Sequence, residues 1–162
     1  MKKITLINFF KKKRLSEIIN LSQKPKLKQK MILNTPYPPD LNDLYRLYKF
    51  IIDNNRTTIL EFGSGWSSII FLIALSELKE KKSKMIKKLR RKHPFELFIV
   101  ENEKKYLDIS RKRIERFIKK LKIKKPPKIH YNLTDVYMTT FQDRICTKYK
   151  KIPLCNPDFI YV

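Results

Sequence analysis

Glu61, Gly63, Ser64, Gly65, Trp66 and Ser67 stand together in the stretch ILEFGSGWSS, residues 59–68, and Glu101, followed by Asn102, ends the apolar run ELFIVE at 96–101. Gly63 and Gly65 are the only two glycines in the 162-residue chain. Glycine serves where the backbone must take a positive φ, or where another group approaches closer than a Cβ allows. In this stretch Gly63 can turn the chain sharply, and Gly65 can leave bare backbone for a ligand to press against. The free amides of a following helix can then face an anionic group. An ionised carboxylate accepts hydrogen bonds and donates none, so Glu101 suits the two hydroxyls of a ribose and repels a 2′-phosphate.

The elements that must position these residues are legible around them. TTILEF at 57–62 is β-branched and apolar without alternation, which predicts a strand buried on both faces, as in parallel sheets. From Trp66 the run WSSIIFLIALSELKEKK is too long for a strand and turns charged, predicting a buried helix to about residue 80. ELFIVE is a second strand. KKYLDISRKRIERFIKKLKI at 104–123 sets Leu107, Ser110, Ile114, Phe117, Ile118 and Leu121 on one stripe of an amphipathic helix. KIHYN at 128–132 is a third strand, a mixed irregular segment follows, and DFIYV at 158–162 is a fourth. Upstream, TPYPPD at 35–40 reads as an extended connector. Asp40 there offers an N-cap to a helix in LNDLYRLYKFIIDNN, which Asn54 and Asn55 end.

This order predicts an α/β fold, a Rossmann-like doubly wound and mainly parallel sheet. In such sheets ligands sit beyond the carboxyl ends of the strands, where Glu61 to Ser67 and Glu101 fall. Residues 1–34 are expected to form a basic leader outside a domain spanning 35–162. The cationic segment 79–93, KEKKSKMIKKLRRKH, is expected as a helical extension or insertion within that domain. The chain stops on its fourth apolar strand. The sheet is therefore expected to be incomplete at the C-terminus, as in an N-terminal fragment, with no catalytic residue identifiable.

Composition bounds the remaining readings. Lys plus Arg number 38 against 15 Asp plus Glu, a formal charge of +23, which attracts polyanions such as nucleic acid or acidic lipid without defining a fold. Cys146 and Cys155 match neither a redox pair nor a zinc pattern, and no metal site is expected. With a poor secretory signal at the N-terminus, they point to a reducing, cytoplasmic setting. The longest apolar run, IIFLIAL at 69–75, is far shorter than the ~20 residues of a membrane-spanning helix. His93 and His130 lack acidic or cysteine neighbours at catalytic spacing and read as structural.

EFGSGWSS after a strand, with an acid ending the next strand, resembles the motif I and motif II pair of class I S-adenosylmethionine-dependent methyltransferases. It resembles in particular the bacterial and phage branch whose first motif runs EFGSGWSS. The resemblance covers roughly residues 37–162 and implies S-adenosylmethionine as cofactor and methyl transfer to an acceptor it does not name. It further implies that Glu61 and the Gly63–Gly65 turn hold the methionine end, that Glu101 holds the ribose, and that Asp135 in NLTDV lies near the adenine. Two departures stand out: Ser67 replaces the third glycine, in a position to cap the helix or meet the cofactor carboxylate. The gap from Gly65 to Glu101 is 36 residues, longer than the ~20 usual in dinucleotide folds. Two other readings compete with a methyltransferase-like domain. One is a dinucleotide-binding Rossmann domain, and the other is a basic nucleic-acid-binding or structural module without catalysis.

Overall fold

The computed structural model describes residues 3–23, 37–88 and 91–162. The remaining parts of the expected leader, connector and cationic segment (residues 1–2, 24–36 and 89–90) lie outside the described residues. The chain forms helices α1 (Lys3–Lys12), α2 (Ser16–Ser22) and α3 (Leu41–Asp53), then strand β1 (Thr58–Phe62), α4 (Ser67–Lys87), β2 (Glu96–Glu101), α5 (Lys104–Leu121) and β3 (Lys128–Leu133). A hairpin of β4 (Val136–Phe141) and β5 (Arg144–Tyr149) follows, and β6 (Phe159–Tyr161) ends the order.

The α/β fold expected from the sequence is present. Four strands make a parallel sheet in the order β3-β2-β1-β6, with β1 paired to β2 from Thr58 opposite Glu96 to Phe62 opposite Val100. The two crossovers through α4 and α5 walk outward from β1 to β3, and the chain then returns to place β6 on the other side of β1. The strand order therefore reverses beside β1. The connection leaving β1 runs toward β2, away from β6, and a crevice lies beyond the carboxyl end of β1 on that side.

The sheet alternates cleanly between two apolar clusters. Ile59, Leu97 and Ile99 face the helical layer, whereas Leu60, Phe98 and Val100 face a smaller cluster closed by Cys155, Phe62 and Tyr149. Because side chains alternate along a strand, Glu61 and Glu101 continue the rows of Ile59 and Ile99 into the helical side. Helix α4 is buried from Ile69 through Leu75, since the sheet lies beneath it and α3 and α5 flank it. α3 starts where Asp40 accepts from the amides of Asn42 and Asp43 (2.8 and 3.2 Å), as its sequence predicts. α5 buries Leu107, Ser110, Ile114 and Phe117, the predicted stripe, and ends at Lys122 in the left-handed region.

Two segments differ from the sequence reading, and a third settles between its alternatives. Residues 3–23, expected as a leader outside the domain, form α1 and α2, and Leu6, Phe10, Leu15, Ile18 and Ile19 join the main core beside α3. Lys13 ties this pair down, donating to the Tyr48 hydroxyl and pairing with Glu77 of α4, while Tyr48 also donates to Glu77. Burial and the Glu77 carboxylate push the Tyr48 phenol well above its ordinary value. Of the two expectations for the cationic stretch, the helical extension is the one present up to Lys87: α4 runs through it and buries Ile86. The mixed segment after β3 is the antiparallel β4–β5 hairpin, turned by Gln142 and Asp143, both at positive φ.

Among the described residues no helix is long and apolar enough to cross a membrane. Nor does any group of three or more His, Cys, Asp or Glu among them stand as a metal cluster. His93 and His130 both lie against the Glu96 carboxylate (3.3 and 2.7 Å), and His130 stacks on Phe98.

Candidate functional site

The crevice beside β1 is a cleft of about 400 Å³. One wall comes from the turn after β1, with Gly63, Ser64, Gly65, Trp66 and Ser67. A second comes from Glu101 and α5, with Tyr106, Ile109 and Arg113. The third comes from the connector and start of α3, with Tyr37, Pro38, Pro39, Asp40, Asp43 and Leu44, and Tyr161 of β6 closes the far side.

The two glycines have different reasons. Gly63 takes φ +83°, and its amide donates to the Val100 carbonyl (2.8 Å), carrying the ladder one residue past β1 before the chain turns. A Cβ there would meet nothing, so the backbone angle alone calls for glycine. Gly65 has no positive φ, and a Cβ on it would meet only the Ser67 hydroxyl at 3.7 Å, an ordinary contact. Nothing inside the folded chain requires glycine at 65, and the position faces the cleft.

Glu101 is buried and fully engaged on its protein side. One oxygen accepts from the amides of Asn102 (2.9 Å) and Glu103 (3.2 Å), and the other accepts from the Ser64 hydroxyl (2.7 Å). A carboxylate offers about four acceptor positions, so one remains toward the cleft. Rotation of the Ser64 hydroxyl would free a second. Asn102 contributes its amide to this arrangement and does not line the cleft.

Glu61 lies behind the turn. Its carboxylate accepts from the hydroxyls of Ser67 and Ser68 in the first turn of α4, and Ser110 donates onward to Ser68 (3.4 Å). Burial pushes its carboxyl up to about 7, against the opposing pull of the two serine donors and with a further push from the Glu101 charge. At neutral pH it is therefore poised between its two protonation states. It does not line the cleft and reaches it only through Ser67. Ser67 is the first residue of α4 and Trp66 occupies the cap position without a side-chain bond, so Ser67 does not cap the helix.

Asp135 is not brought to the cleft. It is exposed, its carboxylate accepts from Lys150 Nζ (3.0 Å), and it sits where β3 hands over to the hairpin. Conversely, Arg113 and Tyr106 line the cleft although the sequence reading passed over them. The signal was present: 106 and 113 lie four residues before and three after Ser110, on the margin of the apolar stripe of α5. The Arg113 guanidinium lies over the Trp66 indole, 3.9 Å from its centroid. Burial, with the neighbouring Arg116 charge, lowers its proton affinity, and Glu17 partly offsets this.

The strand-end carboxylate of Glu101, a turn with bare backbone, and aromatic rings flanking it can bind a polar, elongated small molecule. The volume lies within the roughly 300–1,000 Å³ usual for such sites. Compared with known proteins, the chain matches no family model, no curated protein and no solved structure.

Proposed function

We propose that this cleft binds S-adenosylmethionine and that the chain is a methyltransferase-like domain, passing a methyl group to an acceptor that the site does not identify. The observation that carries the reading is the convergence, at the point where strand order reverses, of the Gly63–Ser67 turn and the Glu101 carboxylate on one cleft.

The residues fit the group in three respects. Glu101 keeps an acceptor position for a ribose hydroxyl, and a second becomes available if Ser64 turns away. Gly65 leaves the space that a Cβ would fill. The amides of Ser67 and Ser68, which precede the first intrahelical bonds of α4 at Ile69 and Ile70, stand beside the turn. Bound S-adenosylmethionine supplies a methyl already activated on a sulfonium, so what the chain contributes is orientation and exclusion of water. Tyr37, Pro38 and Tyr161 wall the cleft as well and would help exclude water from a bound molecule. Glu61 acts as a positioning residue, holding Ser67 and Ser68 and with them the start of α4. Asp135 would have to leave its pair with Lys150 to touch a nucleoside.

The test is calorimetric titration of S-adenosylhomocysteine into the full chain, with emission of the single tryptophan, Trp66, as a second readout inside the cleft. Saturable binding, abolished in Gly65→Arg and Glu101→Ala variants of native circular dichroism, is expected. A folded chain that does not bind overturns the proposal.

A noncatalytic basic module is the second reading. Lys104, Lys112 and Lys119 are exposed on α5 and form no ion pair among the described residues, a surface suited to nucleic acid or another polyanion. Nucleic-acid binding that falls steeply with salt, in a chain indifferent to S-adenosylhomocysteine, would favour it.

A further inference from the structure

Arg113 is the single cation among the described residues lining the cleft. A half-buried guanidinium loses hydration and is ordinarily compensated by a carboxylate. Here the acids around it are committed elsewhere. Glu17, whose charge it feels, pairs with Arg116 and Lys120. Glu101 accepts from Ser64 and two amides, Asp40 caps α3, and Asp43 pairs with Arg46. Arg113 forms no salt bridge among the described residues. What it does have is the Trp66 ring, over which the guanidinium lies at 3.9 Å.

Stacking occupies the face of a guanidinium and leaves its five N–H donors in the plane, with the plane itself held fixed. That fork matches the two oxygens of a carboxylate or a phosphate, and a bidentate pair of this kind is among the stronger polar contacts a protein makes. We propose that Arg113, held on Trp66, is the anion receptor of the cleft and takes a carboxylate or phosphate group of the bound molecule. Trp66 then acts as the platform that orients Arg113, and the cleft is read as divided between a hydroxyl-accepting end at Glu101 and an anion-accepting end at Arg113. The anion can belong to the nucleoside ligand, as its amino-acid carboxylate, or to the methyl acceptor. Use of nucleoside probes rests on the function proposed above.

Three probes separate the cases: S-adenosylhomocysteine, which carries a carboxylate; methylthioadenosine, the same nucleoside without the amino-acid tail; and inorganic pyrophosphate. Affinities are measured by calorimetry and by Trp66 emission, so that pyrophosphate held elsewhere on a chain of charge +23 does not register in the second readout. Arg113→Gln is expected to weaken an anionic probe on the order of tenfold to a hundredfold and to leave methylthioadenosine unchanged. Arg113→Lys, which keeps the charge without the planar fork, should recover part of the loss. A loss confined to S-adenosylhomocysteine assigns the anion to the nucleoside ligand. A loss confined to the pyrophosphate response assigns it to the acceptor.

Equal binding of all three probes by wild type and Arg113→Gln overturns the proposal. So does a folded wild type that binds methylthioadenosine as tightly as S-adenosylhomocysteine with no pyrophosphate response, a comparison that needs no variant. If wild type ignores both nucleosides but answers pyrophosphate through Arg113, the methyltransferase reading fails and the anion receptor stands.

Discussion

Glu61 should make this protein lose stability as the pH rises through neutrality, and replacing it with glutamine should remove that loss. The carboxyl is buried beneath the turn, and its proton affinity in the folded chain corresponds to about 7 against an ordinary 4.5. The folded state thus holds the proton more tightly than the unfolded state. The resulting stabilisation is fully present below about pH 4.5, declines as the pH climbs, and is gone above about pH 7. At 1.36 kcal/mol for each tenfold difference in proton affinity, the gap amounts to about 3 kcal/mol.

Glutamine keeps the shape, carries no titrating proton, and can exchange hydrogen bonds with Ser67 and Ser68, whose hydroxyls both donate and accept. Urea unfolding of wild type and Glu61→Gln at pH 5, 6, 7 and 8.5, at one ionic strength, isolates the residue, because all other titrating groups are common to both. The difference in unfolding free energy should move in favour of Glu61→Gln by about 2.5 kcal/mol between pH 5 and pH 8.5, since part of the gap is already lost at pH 5. A difference that stays constant across that range would refute the reasoning, since it would mean that the Ser67 and Ser68 donors offset the whole desolvation of the anion.

Gly63→Ala should destabilise the fold by about 1–2 kcal/mol, the cost of holding an L-residue at φ +83°, without steric clash; chemical denaturation measures it. Asp158→Ala should cost about 3 kcal/mol, because its carboxylate accepts from the amides of Thr57 and Thr58 and pairs with Arg91, which leaves two buried donors unmet at the start of β1 when it is removed. An unchanged melting temperature would argue against that latch. Phe10→Ala should cost about 3–5 kcal/mol in a single cooperative transition, as for any fully buried aromatic, whereas a leader outside the fold would give no change.

The parts of the fold that were legible in the sequence are those where one signal dominates. β1 and β2 are continuous apolar runs in a parallel sheet covered on both faces, and α5 carries its stripe against a cationic background. The β4–β5 hairpin was hidden because Gln142 and Asp143 take positive φ without a glycine to announce the turn, and because Tyr137, Met138, Phe141 and Ile145 are exposed, which erases any alternation. α1 and α2 were hidden by charge. Lys11, Lys12, Lys13 and Arg14 read as a solvated leader, yet Lys13 turns inward to Glu77 and Tyr48, and the apolar residues flanking the cations fill the core. Of the site, the turn and Glu101 were legible as local motifs. Arg113 was legible only as a position on the margin of the α5 stripe; that it meets Trp66 depends on α5 lying beside α4, and that neighbour relation is tertiary.

The two glycines bear most directly on whether the cleft serves a ligand. Alanine at 65 would meet only ordinary contacts and needs no forbidden angle, so the fold would tolerate it. It would also restrict the unfolded chain, a gain of about 0.4–1 kcal/mol at a compatible site. A chain that uses glycine nowhere else except at φ +83° thus forgoes stability at one further position, and that position faces the cleft. The folded chain by itself gives no compensation for this. A molecule pressed against the bare backbone would, and Gly65→Ala tests the inference: stability unchanged or raised, with S-adenosylhomocysteine binding weakened at least tenfold. Raised stability with undiminished binding would reduce Gly65 to an accident of the turn and leave Glu101 and Arg113 to argue for the ligand alone.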